Sequence, residues 1–248
     1  MRWYLGFDCA TKTFAFSLSQ VAPLERAQLA QLRARALACR ELCRRAAAAA
    51  LGDDPAAASA LLCALRPAVS ELDADIGGLI RIVDGAVCDL APGRPDALVS
   101  TVERLRALAA YVAGRIRPAI ERAGIADGEL CVIIEYQMGP NARARAVAAA
   151  LVALFATDNV IIVGPSLKNK VSTCDAGRYG VFAQKYSTAY GANKAHAAFN
   201  FAHIESVFGT AIPTTKPLSR RGHIADSFMQ VLGHLIFGAD EKDAASMF

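Results

Sequence analysis

"RWYLGFDCATKTFAFSLSQV", residues 2–21, is the stretch from which the fold is read. Aromatic and branched residues fill both RWYLGFD and TFAFSLSQV, and a short polar link with Thr11 and Lys12 separates them. Two apolar runs joined so tightly read as adjacent antiparallel strands. Strands disfavour aspartate, yet Asp8 ends the first of these, so its presence asks for a chemical reason.

Beyond Val21 the composition changes to Ala, Leu and Arg. Residues 24–51 read as one long helix and PAAASALLCAL as a shorter one after the GDDP break, which predicts an inserted helical hairpin over about 22–76. GGLIRIVDGAVCDL, residues 77–90, begins after a glycine pair and reads as a third strand. The segment from Arg94 to Gly124 reads as a helix kinked at Pro118. ELCVIIEYQMG then reads as a buried strand, NARARAVAAALVALFATD as a helix opened by Asn141, and NVIIVGP as a second buried strand, a β-α-β unit. Residues 166–192 lack periodicity and read as a long functional loop, and two terminal helices close the chain. The expected class is α/β: one domain over 1–248 on a mixed five-stranded sheet flanked by helices.

The chain of 248 residues, 54% hydrophobic, can fill a core and is not disordered in composition. A net charge of +4 permits a nucleic-acid partner without requiring one. Seven cysteines without a CxxC pair suggest neither a zinc site nor a disulfide framework and point to a reducing compartment. The apolar run from Ala146 to Thr157 is far short of the roughly 20 residues a membrane span needs. The expectation is a soluble, intracellular protein with no membrane partner.

Asp8 is not alone. Glu135 ends the apolar strand CVIIE, and a carboxylate beside a core is costly unless paired, hydrogen-bonded or bound to metal. His223 and Asp226, in RRGHIADSFMQ, stand three residues apart on a helix and project together, with Ile224, Ala225, Phe228, Val231 and Leu232 as anchors. Converging, these four form a cluster of carboxylates and one imidazole suited to divalent metals. Two ions about 4 Å apart activate a water on one side of a phosphodiester and stabilise the leaving oxygen on the other. Oxygen-rich ligation favours Mg²⁺ or Mn²⁺.

GFDCATKTFAFSL, VIIEYQ, SLKNK and HIADSF, in that order, resemble the RuvC-like Holliday-junction resolvases of the RNase H-like superfamily, and among them the poxvirus branch. The resemblance spans roughly 2–20 and 77–238. It implies an RNase H-like fold and a two-metal endodeoxyribonuclease that resolves four-way DNA junctions as a homodimer by paired symmetric nicks, with Asp8, Glu135 and Asp226 as ligands. It also implies a virus-encoded protein acting where viral DNA replicates. The family often has aspartate where His223 stands, although some relatives carry histidine; an imidazole there shifts preference towards Mn²⁺ or adds a proton-transfer group. Lys170 and Lys194 match lysines that relatives use near the scissile phosphate, where they stabilise developing charge. The hairpin at about 22–76 has no counterpart in the family, and a dimer arm, a DNA clamp and a packed appendage are all open for it.

Residues 165–195 carry Lys168, Lys170, Arg178, Lys185 and Lys194 against the single acid Asp175, interleaved with Tyr179, Phe182, Tyr186 and Tyr190 that suit stacking on exposed bases. Arg143, Arg145, Arg220 and Arg221 extend this basic surface to both sides of the site, as contacts that position DNA without reading it. Gly139 and Pro140 suggest a turn that exposes Tyr136 or Met138. Some bacterial relatives place a junction-wedging phenylalanine where Met138 stands, so that role is not carried over. Competing readings are a nuclease for RNA/DNA hybrids or general branched DNA, and a catalytically inactive junction-binding protein. Actin-like ATPases share the opening hairpin, but they need a second glycine-rich phosphate loop that the chain lacks.

Overall fold

The structure is a computed structural model that describes residues 1–10, 12–52, 54–126, 128–136, 141–165, 167–171 and 218–238. β1 (Arg2–Cys9) and β2 (Thr13–Val21) form the antiparallel hairpin, with Asp8 opposite Ala15, and β3 (Ile80–Asp89) pairs antiparallel with β2. On the other side of β1 lie β4 (Leu130–Glu135) and then β5 (Asn159–Val163), both parallel to it. The sheet order is β3-β2-β1-β4-β5, a mixed five-stranded sheet as expected from the sequence.

Side-chain alternation divides the sheet into two faces. Leu5, Phe7, Phe14, Phe16, Val132 and Ile134 join a core with Leu108 and Ile116 of the helices after β3 and Val147 and Leu151 of α5 (Ala142–Leu154). Tyr4, Ala15, Val21, Ile133 and Val87 share the second core with α6 (Leu218–Phe237). Asp8 and Glu135 are in step with this second set and so belong to the α6 face.

α6 approaches the sheet unusually closely, and one cross-strand row explains how. Gly6, Ser17 and Gly85 are register partners across β1, β2 and β3. A Cβ at Gly6 would stand 2.3 Å from the Ser227 carbonyl oxygen, and one at Gly85 3.2 Å from Ile224 Cγ2. Three small residues in line therefore make the groove in which α6 rests.

α1 (Arg26–Leu51) and α2 (Pro55–Leu79) form the inserted hairpin between β2 and β3. Asp54 caps α2, accepting a hydrogen bond from the Ala57 amide. α2 does not stop before Pro67 as its sequence suggests, nor does the glycine pair start β3; the helix continues to Leu79. Leu65, Val69, Leu72, Ile76 and Leu79 are buried at alternating spacings of four and three, so packing outweighs the breakers. Arg33 donates to the Phe237 carbonyl and stacks on its ring, fixing α1 to the C-terminal end of α6. The hairpin thus leaves the sheet at the end opposite Asp8.

α3 (Thr101–Tyr111) opens on a capping box between Ser100 and Glu103. It runs through a π-helical turn, Val112–Ile116, into α4 (Arg117–Arg122). The expected kink at Pro118 is thus taken up by the wider turn, since proline cannot donate the usual backbone bond. β5 also departs from expectation: only Val163 is buried and Ile162 is 54% exposed, because β4 is its one sheet neighbour among the described residues. No helix among the described residues is long and apolar enough to cross a membrane.

Candidate active site

β1 and β4 are neighbouring parallel strands, so their C-terminal ends fall together, the place where open α/β sheets present ligands. Phe7 pairs with Ile134, which leaves Asp8 and Glu135 side by side one residue further on. α6 lies over them with His223, Asp226 and Gln230 at spacings of three and four, one helical face. The four expected ligands are therefore brought together. Asp8, Glu135 and Asp226 are all buried.

His223 Nδ1 lies 2.6 Å from Asp8 Oδ2. With Nδ1 held there, Nε2 is the ring nitrogen available to a proton or a cation. Lys168, on the short turn after β5, places its ammonium 3.2 Å from Glu135 Oε2 and 3.4 Å from Asp226 Oδ2. Gln230 donates to Glu135 Oε2 from the far side of α6's next turn. Burial raises the Glu135 carboxyl to about 7; Lys168 opposes the shift, and Asp8 and Asp226 add to it. Burial works against the charged form of Lys168, but Asp226, Glu135 and Asp8 more than reverse that and raise its pKa. Beside Asp8, burial and the carboxylates push the Cys9 thiol well above its ordinary range, so it is no nucleophile.

Among the described residues, no three His, Cys, Asp or Glu side chains are arranged to hold one ion. The donor set nevertheless suits a hard divalent cation: three carboxylates are buried together, and the Lys168 ammonium contacts two of them, Glu135 and Asp226. Lys168 stands between two of the carboxylates, where positive charge is most needed.

The other expected site residues are distributed unevenly. Of the lysines in SLKNK it is Lys168 that reaches the carboxylates, whereas Lys170, expected there, stands over the Phe237 ring, 5.9 Å from its centroid. Arg143 is half-buried and turned towards Asp96, 3.7 Å from its carboxylate and 3.2 Å from its carbonyl. The fully buried Arg104 binds the same aspartate. Arg145 is exposed, and Tyr136 is 41% exposed beside Glu135, its amide bonded to the Val163 carbonyl. Arg178, Lys185, Lys194 and Met138, the long loop beyond Val171, the first of the two terminal helices and the side chains of Arg220 and Arg221 lie outside the described residues. His234 packs by the Tyr4 ring, and burial lowers its pKa. Gln230 was not anticipated; a glutamine two turns after His223 on an apolar helix was the available signal.

No protein-family model and no curated protein sequence matches the chain. Among solved structures it is similar to the Thermus thermophilus RuvC structure, with 13% identity, 96% of each chain covered and a TM-score of 0.45. So slight a likeness carries no function across.

Proposed function

We propose that the chain is a metal-dependent endodeoxyribonuclease that resolves four-way DNA junctions. The observation that carries this reading is the meeting of Asp8 and Glu135, from adjacent parallel strand ends, with His223 and Asp226 on one face of α6. Asp8, Glu135 and Asp226 hold divalent cations, with His223 Nε2 as a further donor. Mg²⁺ or Mn²⁺, two per site, would supply activation of the attacking water and stabilisation of the leaving oxygen. Asp8 fixes the His223 tautomer through Nδ1, so that the Nε2 lone pair is the one that would be offered to a cation. Lys168 lies close enough to balance charge on the phosphoryl oxygens. Lys170, Lys194, Arg178, Lys185, Arg143, Arg145, Arg220 and Arg221 provide phosphate contacts, and Tyr136 and Met138 contact the junction. Paired nicks require two such sites, hence a homodimer. A virus-encoded, intracellular protein remains what the poxvirus resemblance implies.

The test offers wild type, Asp8→Asn and Glu135→Gln a synthetic four-way junction, a linear duplex and an RNA/DNA hybrid, each with Mg²⁺ or Mn²⁺. Symmetric nicks in the junction, lost in both variants, support the reading. Cleavage of the hybrid alone, or cutting that survives both substitutions, sinks it. A second reading, junction binding without cleavage, draws on Lys168 standing between Glu135 and Asp226. Tight junction binding with no nicks in either metal would select it.

A further inference from the structure

We infer that Gln230 is a positioning residue that sets which oxygen of Glu135 faces the cation site. The inference rests on the reading of Glu135 as a ligand. Gln230 is fully buried on an otherwise apolar turn of α6, where an amide is costly unless it is hydrogen-bonded. Its Nε2 donates to Glu135 Oε2. With Glu135 ionised, as at pH 8, the opposite amide orientation would set a carbonyl oxygen against a carboxylate, two acceptors with no proton between them, so the assignment follows from chemistry. Lys168 contacts the same Oε2. Two donors therefore converge on one oxygen, and no hydrogen bond from the described residues reaches Oε1.

The two donors differ in kind. Lys168 is a mobile point charge shared with Asp226, and its ammonium competes for the position a divalent cation would take. Gln230 is neutral and belongs to α6 itself, one turn beyond Asp226, so it fixes Glu135 relative to Asp226 without cancelling any charge. A lysine there would neutralise the cluster, and a glutamate would add a fourth carboxylate. Only a neutral donor orients Glu135 and leaves its charge for the cation. The Gln230 Oε1 is buried with no hydrogen-bond partner among the described residues, so the side chain is held by its bond to Glu135 rather than by a wider network.

The experiment is calorimetric titration of the full chain with Mn²⁺ alone, at pH 8 and well below the melting temperature. It compares wild type, Gln230→Met, Gln230→Asn and Ser227→Ala. Ser227 is equally buried on α6, but among the described residues its hydroxyl bonds only to the Ile224 carbonyl of its own helix. Gln230→Met keeps volume and loses the donor, and is expected to weaken Mn²⁺ binding about 10- to 100-fold, the usual effect of removing a group that orients a ligand. Gln230→Asn keeps the amide but loses the reach and is expected to do the same, which decides the matter if the methionine variant does not melt cooperatively. Ser227→Ala should lower the melting temperature at most, with unchanged affinity. Wild-type affinity in both Gln230 variants overturns the inference while leaving the ligand reading intact. No Mn²⁺ binding by wild type overturns both.

Discussion

Replacing Gly6 with alanine should separate α6 from the sheet and with it the two halves of the site. The new Cβ would lie 2.3 Å from the Ser227 carbonyl oxygen and 2.7 Å from Val231 Cγ2, where ordinary contact begins at 3.4 Å. The first clash is with backbone, so no side-chain rotation relieves it, and the helix must retreat by about 1 Å. That shift takes the 2.6 Å contact between Asp8 and His223 to the limit of a hydrogen bond. Overpacking of this kind costs about 1–3 kcal/mol, which lowers the melting temperature by roughly 2–4 °C per kcal/mol in a chain of this length. A misplacement of about 1 Å between catalytic groups is worth about 100-fold in rate. Denaturant unfolding and junction cleavage would be measured together, with Gly78→Ala as the control. Gly78 is helical in α2 and a Cβ there meets nothing within 4 Å, so that variant should gain about 0.4–1 kcal/mol. A Gly6→Ala protein as stable and as active as wild type would refute the account of how α6 is seated.

In the absence of metal, stability should fall as pH rises from 5 to 8. The folded state holds a proton on Glu135 up to about 7, against an ordinary value of 4.5, so it binds more protons than the unfolded chain across that window. The stabilisation is full below 4.5 and lost as pH climbs through about 7, a change of roughly 3 kcal/mol. Urea unfolding with a chelator should show the slope in wild type and a flatter one in Glu135→Gln. Lys168→Met should destabilise the metal-free protein by about 3 kcal/mol, because Glu135 and Asp226 lose the ammonium they share. Saturating Mn²⁺ should restore most of the loss, as read from thermal melts; a loss that metal leaves untouched would contradict the charge argument. Arg104→Met should cost about 3 kcal/mol by leaving Asp96 and the Val99 carbonyl without their buried donor, measured by the same unfolding.

Much of this was legible in the sequence because it rests on alternation. Asp8 and Glu135 each follow an apolar run whose period of two fixes their face, and the spacing of His223 and Asp226 fixes theirs. Elements went astray where tertiary packing outweighs local signals. Pro67 and the Gly77–Gly78 pair look like helix ends, but Leu65, Val69, Leu72 and Ile76 carry α2 past them into the core. NVIIV reads as buried because its composition is apolar, yet an edge position leaves Ile162 exposed. Within the site, position after a strand could not choose between Lys168 and Lys170, since the choice depends on the direction each side chain takes from one short turn. Gln230 was invisible for a different reason: a lone glutamine on an apolar helix gains meaning only from the carboxylate opposite it.

The seating of α6 and the chemistry of the site are one problem in this fold. Burying these carboxylates opposes folding, and the pKa of Glu135, raised first by burial with Asp8 and Asp226 adding to it, is the sign of that cost. The helix is held down instead by what lies to either side of its polar face. Phe228, Val231, Leu232 and Ile236 are buried in the second core. The Gly6–Ser17–Gly85 row lets Ile224 and the Ser227 backbone descend to the sheet. Larger residues in that row would still leave β1 and β4 paired, and the fold recognisable, but His223 and Asp226 would be lifted from Asp8 and Glu135. The small residues on three strands therefore bear on the assembly of the cluster as directly as the acids do, although none of them carries a charge. A divalent cation bound by the same acids would relieve the repulsion that the apolar face of α6 now has to overcome.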